Sequence, residues 1–178
     1  MEKEKKGSIS NKIYLIICIV LVALSFIPVV GITAEMEKET LNLTYNGFEL
    51  MFGKTINELS GYISVNANLE VKIKLNVMVI IVYFLPIIIF GIMKLLKKDN
   101  TVVSSAMIIS FLISAVLSFF LPSISHILVN EYVGIGLLDT YTFTLSEVGF
   151  TSIYGSYIIG FILCASTVYA VYARNKNN

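Results

Sequence analysis

The chain has 178 residues, of which 56% are hydrophobic and only 14% are charged, and its mean hydropathy is +0.82. Soluble domains usually carry about 25% charged residues, so this composition argues against an ordinary soluble protein. The formal net charge of +1 does not suggest a nucleic-acid partner.

Four apolar stretches that contain no Asp, Glu, Lys or Arg dominate the sequence: residues 13–34, 75–93, 102–121 and 148–173. A helix rises about 1.5 Å per residue and the hydrocarbon core of a bilayer is about 30 Å thick, so about 20 residues span it. We therefore predict a membrane α-helical fold, a four-transmembrane-helix bundle that forms a single integral membrane domain over residues 1–178. The outer loops are then residues 35–74 and 122–147.

The first stretch has a second interpretation, because lysines precede it and Thr33 and Ala34 come just before Glu35. These features are also found in signal peptides. The apolar core of a signal peptide is usually about 7–15 residues, and this one is longer. An uncleaved span is the interpretation we adopt, with cleavage as the alternative.

A strong local pattern lies in the first outer loop, where residues 41–52 alternate in polarity around Asn46-Gly47. Asn-Gly is the preferred two-residue turn of a β-hairpin. A hairpin that turns there places its apolar residues on one face: Leu41, Leu43, Tyr45, Phe48, Leu50 and Phe52. We therefore predict an extracellular β-hairpin in this segment.

An isolated hairpin is marginal in water and needs further strands. Residues 62–65 and 140–145 are candidates, and in the second of these Tyr141 and Phe143 alternate with threonines. The prediction is a small extracytoplasmic antiparallel β-sheet formed by the two outer loops. Its candidate interaction surface comprises Tyr45, Asn46, Gly47, Phe48, Leu50, Phe52, Tyr141 and Phe143.

Small residues recur every four positions in the third and fourth stretches. They are Ala106, Ser110, Ser114 and Ser118 in one, and Ser152, Ser156, Gly160 and Cys164 in the other. Membrane helices pack closely through small residues, so we predict that both stripes pack within the bundle. The alternative is a pore lined by hydroxyl groups. Pro86 predicts a kink in the second helix. Transporters use broken helices at binding sites, but single kinks are ordinary, so a hinge or binding site is the alternative.

Most lysines and arginines lie in residues 1–12, 94–101 and 174–178, whereas the two outer loops carry most of the acids. Cytoplasmic loops retain Lys and Arg, so both termini are expected in the cytoplasm. The abundance of Ile, Asn and Lys fits an AT-rich genome. The localisation predicted is the plasma membrane, as a multi-pass protein, and the organism is expected to be a bacterium.

The order of these elements resembles the claudin-like tetraspan topology, with both termini inside and strands in the outer loops. The claudin loop signature of tryptophans and a cysteine pair is absent, so an adhesion function does not carry over. The stretch Gly47-Phe48-Glu49-Leu50-Met51-Phe52-Gly53 also resembles an outer-loop motif of small membrane proteins from low-GC Gram-positive bacteria. That resemblance implies no activity.

The chain shows no arrangement of residues typical of catalysis. His126 has serines but no acid among its sequence neighbours, and Cys18 and Cys164 lie inside predicted spans without a C-x-x-C pair. Glu35, Glu37 and Glu39 alternate as in some cation sites, but solvated acids at a loop start are commoner. We predict no catalytic residue, cofactor or metal.

We therefore expect a non-enzymatic membrane protein that acts through protein–protein interaction or assembly. Its surroundings are the lipid bilayer, and its partner is a membrane protein or a second copy. A small transporter or channel component is the first alternative, and an enzyme acting at the membrane interface is the second.

Overall fold

The computed structural model describes residues 2–36, 39–60, 66–73, 75–125, 127–135, 139–144 and 148–177, and the side chains of residues 9–31, 44–53, 75–125 and 152–176. The helices are α1 Glu2–Leu24, α2 Gly47–Phe52, α3 Val77–Leu95, α4 Asn100–Phe119, α5 Leu121–Ile124 and α6 Tyr154–Asn177. The strands are β1 Pro28–Met36, β2 Glu39–Asn46, β3 Lys54–Ser60, β4 Asn66–Ile73, β5 Ile127–Ile135, β6 Asp139–Thr144 and β7 Val148–Ser152.

Three helices of the described chain are long and apolar enough to cross a membrane: Val77–Leu95, Asn100–Phe119 and Tyr154–Lys176. They correspond to the second, third and fourth apolar stretches of the sequence. The apolar part of α1 is shorter and covers Ile9–Leu24. Three helices of membrane-spanning length are thus present, and α1 is a fourth long helix beside them.

The predicted boundaries of the first and last spans are wrong at one end. Helix α1 ends at Leu24, and Pro28–Met36 forms β1 where a helix up to residue 34 was expected. Pro28 has no amide hydrogen, and it disfavours helical backbone in the residue before it. The last span was expected from residue 148, but Val148–Ser152 forms β7. An apolar composition predicts burial and does not by itself distinguish a helix from a strand.

These two apolar segments pair with each other in an antiparallel sheet of order β2-β1-β7. Val30 of β1 lies opposite Tyr45 of β2 and Ser152 of β7. The amide of Ile153 also donates to the Val29 carbonyl over 3.1 Å. This sheet therefore ties the chain after α1 to the chain before α6.

A second antiparallel sheet has the order β3-β4-β5-β6. Strands β3 and β4 come from residues 35–74, and β5 and β6 come from residues 122–147, so the sheet joins the two predicted outer loops. The strand predicted near residue 140 is present as Asp139–Thr144. Residue 145 and the candidate strand at residues 62–65 lie outside the described residues.

The predicted turn at Asn46-Gly47 is wrong. Strand β2 ends at Asn46, and helix α2 begins at Gly47. The hairpin that does form is β1–β2, in which Met36 lies opposite Glu39. Asparagine is favoured at helix N-caps as well as in turns, and here the cap is the role it takes.

At the end of the bundle where α4 begins, Tyr14 of α1 contacts all three other long helices. Its hydroxyl donates to the Ser104 hydroxyl over 2.9 Å. Its ring centroid lies 6.1 Å from that of Phe90, 6.3 Å from Phe111 and 5.9 Å from Tyr169. This one buried side chain therefore joins α1, α3, α4 and α6.

Of the described helices, α4 and α6 make the most extensive contact with each other. The small residues Ser110, Ser114, Ser118, Ser156 and Gly160 are buried. An ideal Cβ at Gly160 would lie only 2.5–2.9 Å from ring atoms of Phe119, so the ring packs directly on the helix backbone.

The stripes are not as straight as predicted. Ala106 and Ser152 are half-buried, and Cys164 is exposed, so its assignment to a packing stripe is wrong. A step of four residues turns a helix about 40° beyond a full turn, and three steps turn it about 120°. Leu163 and Ser166 continue the buried face of α6 instead.

The buried serine hydroxyls are bonded to backbone carbonyls. Ser110 donates to Met107 over 3.1 Å, Ser118 to Ala115 over 2.8 Å and Ser156 to Ile153 over 2.8 Å, each within or beside its own helix. Ser114 reaches across to the Ile81 carbonyl of α3 over 3.3 Å. These hydroxyls therefore serve packing contacts inside the protein.

Three glycines provide a graded test of this packing. A Cβ at Gly155 would overlap the Pro28 carbonyl, one at Gly160 would press on the movable Phe119 ring, and one at Gly91 would meet nothing within 4 Å. We expect Gly155→Ala to lower the free energy of unfolding by about 1–3 kcal/mol, because backbone must shift. Gly160→Ala should cost less, and Gly91→Ala should stabilise α3 by up to about 1 kcal/mol.

Thermal unfolding in detergent, followed by circular dichroism, ranks the three variants. Equal effects at all three glycines would contradict the described helix packing.

Candidate functional site

Helix α2 is a six-residue helix whose two ends are fixed by specific contacts. The Glu49 amide donates to Oδ1 of Asn46 over 2.8 Å, and the Asn46 amide donates to Oε2 of Glu49 over 3.1 Å. This reciprocal arrangement is a capping box. At the other end, Gly53 has φ 84°, which favours glycine, and its amide donates to the Glu49 carbonyl over 2.9 Å. Helices this short are not stable alone, so the caps and tertiary contacts define α2.

The first residue of α2 packs directly on a tyrosine of α3. A Cβ at Gly47 would overlap the ring and hydroxyl of Tyr83. Tyr83 is fully buried, and its hydroxyl has no hydrogen-bond partner among the described residues. Only glycine fits at position 47, because the Tyr83 ring lies against the backbone there, and α2 therefore packs directly on Tyr83.

The backbone of α2 is attached to the ends of two long helices. The Phe48 amide donates to the Ser25 carbonyl, just after α1, over 2.8 Å. The Met51 carbonyl accepts from the Asn76 amide, just before α3, over 3.1 Å. Leu50 and Met51 are buried beneath the helix. Helix α2 thus bridges the ends of α1 and α3.

Asn76 links three elements at this end of the bundle. Its Oδ1 accepts from the amides of Met78 over 2.9 Å and Val79 over 3.4 Å, which caps α3. Its Nδ2 donates to the Ile124 carbonyl at the end of α5, and its backbone amide bonds α2. Asn76 is itself only 4% exposed. The side chain of Asn76 thus joins α3 to α5, and its backbone amide joins both to α2.

The opposite face of α2 is aromatic and exposed. Phe48 stacks on Phe26 with ring centroids 5.2 Å apart, and it contacts Phe52 at 4.8 Å. The exposed fractions are 58% for Phe26, 44% for Phe48 and 51% for Phe52. These three residues, the aromatic triad, form a continuous apolar surface, with Phe48 and Phe52 on α2 and Phe26 in the turn after α1.

The candidate surface predicted from sequence is only partly present. Tyr45, Gly47 and Leu50 are buried, and Asn46 is used as a cap, so their assignment to an exposed surface is wrong. The prediction assumed a hairpin that turns at Asn46-Gly47, and that hairpin does not form. Phe48 and Phe52 are exposed, because residues four apart share one face of a helix. Tyr141 and Phe143 lie in β6, and their side chains are outside the described ones.

Sequence reasoning missed two contributors to this site. Phe26 lies outside the loop that was considered, and only the fold brings it onto Phe48. Asn76 does carry a recognisable signal, since an asparagine immediately before a long apolar run is a typical N-cap.

The described residues hold little chemistry beyond these contacts. Within them, no three His, Cys, Asp or Glu side chains are grouped to hold a metal. Cys18 is buried and Cys164 is exposed. His126 lies outside the described residues. The described site is therefore an exposed apolar surface, formed by the aromatic triad.

Comparison with family models, curated proteins and solved structures finds no match to this chain.

The hydroxyl of Tyr83, which has no hydrogen-bond partner among the described residues, leads to a test of its contribution to stability. Removing a buried hydroxyl that has no partner is nearly neutral or stabilising, so Tyr83→Phe should leave or raise the unfolding temperature. Tyr14→Phe is the matched control, because the Tyr14 hydroxyl is bonded to Ser104. It should cost about 1 kcal/mol. Equal destabilisation by both, measured by thermal unfolding, would mean that the Tyr83 hydroxyl has a stabilising partner.

The role of Asn76 leads to a second prediction. Asn76→Ala removes the cap of α3 and the bond to Ile124, so we expect a loss of about 1–3 kcal/mol in the free energy of unfolding. Asn175→Ala, at an exposed position near the end of α6, serves as control and should change little. Unfolding curves in detergent measure both, and equal curves would show that the cap contributes nothing.

Proposed function

We propose that this chain is a four-span integral membrane protein of a bacterial plasma membrane, which acts by binding a membrane-protein partner or a second copy. Three apolar helices have the required length. The apolar part of α1, Ile9–Leu24, would be about 24 Å long, a little less than the hydrocarbon core. Tyr14 packs α1 against the other three helices, which supports α1 as the fourth span.

Both termini would lie on the cytoplasmic side. Nδ2 of Asn11 donates to Oδ1 of Asn100 over 2.9 Å, so the N-terminal half of α1 lies beside the start of α4. Lys97 and Lys98 are exposed in the connection between α3 and α4 at this end. Tyr169, in the C-terminal half of α6, contacts Tyr14. Basic residues gathered at one end support placing that end inside.

The observation that carries the binding proposal is the edge of the second sheet. Strand β6 pairs with β5 and has no second neighbour among the described strands. Its sequence, Asp-Thr-Tyr-Thr-Phe-Thr, has a charge only at its first residue, whereas the other edge, β3, contains Lys54 and Glu58. Edge strands without charge, proline or cover readily pair with another chain. A partner strand added to β6 would extend the sheet.

The hydroxyl contacts of the helices fit the packing role predicted for the two stripes. The buried serines Ser110, Ser114, Ser118 and Ser156 donate to backbone carbonyls within the protein. The alternative of a transporter or channel component therefore receives no support from these residues.

A lysine placed in the β6 edge tests this proposal. Thr142→Lys should reduce association, because an edge lysine opposes the addition of a strand. The matched control is Asn57→Lys in β3, at the other edge of the same sheet. Each protein is crosslinked in its own membranes, purified in mild detergent and analysed for crosslinked species by mass spectrometry.

The expected result is a set of crosslinked species in the wild type and in the Asn57→Lys control that is lost in Thr142→Lys, with unchanged circular dichroism. Monomer alone in all three proteins would refute binding. Species that survive in Thr142→Lys but disappear in Asn57→Lys would place the binding surface at β3.

A further inference from the structure

We infer that the aromatic triad, Phe26, Phe48 and Phe52, inserts into the outer leaflet at the boundary between lipid headgroups and acyl chains. This inference rests on the proposed membrane spans, and it concerns a different surface from the β6 edge. The partner is the lipid bilayer itself, which the triad would contact through its ring faces and edges.

The first argument is position along the bundle. Phe48 is bonded through its amide to the residue that follows α1, and Met51 is bonded to the residue that precedes α3. Both helices therefore end or begin at the level of α2. When α1 and α3 span the hydrocarbon core, α2 lies at its edge, where amphipathic and aromatic groups concentrate.

The second argument is charge. The only charged residue of α2 is Glu49, and one of its carboxylate oxygens accepts the Asn46 amide in the capping box. The exposed face of α2 is formed by Phe48 and Phe52. This face carries no charged side chain of α2, so lowering it into the interface does not require a charge on that face to leave water.

The third argument is continuity with other exposed apolar residues at the same end. Leu75, Val77 and Met78 are exposed at the start of α3. Tyr154 and Tyr157 are exposed at the start of α6, and Gly155 packs on the Pro28 carbonyl just after α1. Exposed aromatic and aliphatic groups thus occur beside α1, α3 and α6. A single protein partner would cover one sector, whereas lipid contacts every sector, so lipid is the occupant that this distribution favours.

The absence of tryptophan from the chain makes a direct depth measurement feasible. We would introduce one fluorophore at a time as Phe48→Trp, Phe52→Trp and Phe26→Trp. Phe161→Trp is the control, because Phe161 is 67% exposed and lies about 10 Å along α6 from Tyr154. Each full-length variant is reconstituted into phosphatidylcholine vesicles. The lipids carry bromine either near the glycerol or near the end of the acyl chain, and iodide serves as the aqueous quencher.

The triad variants are expected to lose more emission to the shallow bromines than to the deep ones, whereas Phe161→Trp should show the reverse. Three positions are used so that one variant that fails to fold does not decide the result. Quenching of Phe161→Trp by lipid, with triad variants quenched only by iodide or by nothing, would overturn the inference and leave the spans intact. If bromolipid quenched none of the four, the membrane assignment itself would fail, and the inference with it.

Discussion

Asn76 is the residue on whose hydrogen bonds the α2 end of the bundle depends. Its side chain caps α3 and bonds the end of α5, and its backbone amide donates to α2. Leaving the free amides at the start of a buried helix without hydrogen bonds lowers the free energy of unfolding, so few residues can replace a buried N-cap. Because the same residue also orients α2, the direction of the aromatic triad follows from where α3 begins.

Two buried tyrosines, Tyr14 and Tyr83, each make close contacts between elements, one through a hydrogen bond and ring contacts and the other through packing against a glycine. Tyr14 satisfies its hydroxyl with Ser104 and uses its ring to join four helices. Tyr83 instead fills the space that a side chain at Gly47 would need. In lipid, apolar burial between helices gains little, and close approach and hydrogen bonds become more important. Bonded serines, the Gly160–Phe119 contact and these tyrosines are of that kind.

The aromatic triad and the β6 edge differ in kind, so different roles are proposed for them. The triad is apolar and level with the ends of α1 and α3, which suits contact with lipid. The β6 edge consists of backbone that pairs on one side among the described strands, which suits another strand. A protein anchored at the membrane interface through α2 would hold its second sheet at a defined height, where a partner embedded in the same membrane meets it.

By itself, the sequence determined those features that depend on local composition. Residues 75–93 and 102–121 are long, apolar and free of charge, and they form α3 and α4 within two residues at each end. Alternation around Tyr141 and Phe143 predicted β6.

Tertiary structure decided the remaining elements, because several local sequence patterns were compatible with two different secondary structures. Asn46-Gly47 suits a turn or a helix start, and pairing of β2 with β1 selected the helix start. Residues 28–34 and 148–152 are apolar enough for a span, but Pro28 and their mutual pairing make them strands. The triad could not be predicted, since Phe26 and Phe48 are distant in sequence and meet only when α2 docks on the ends of α1 and α3.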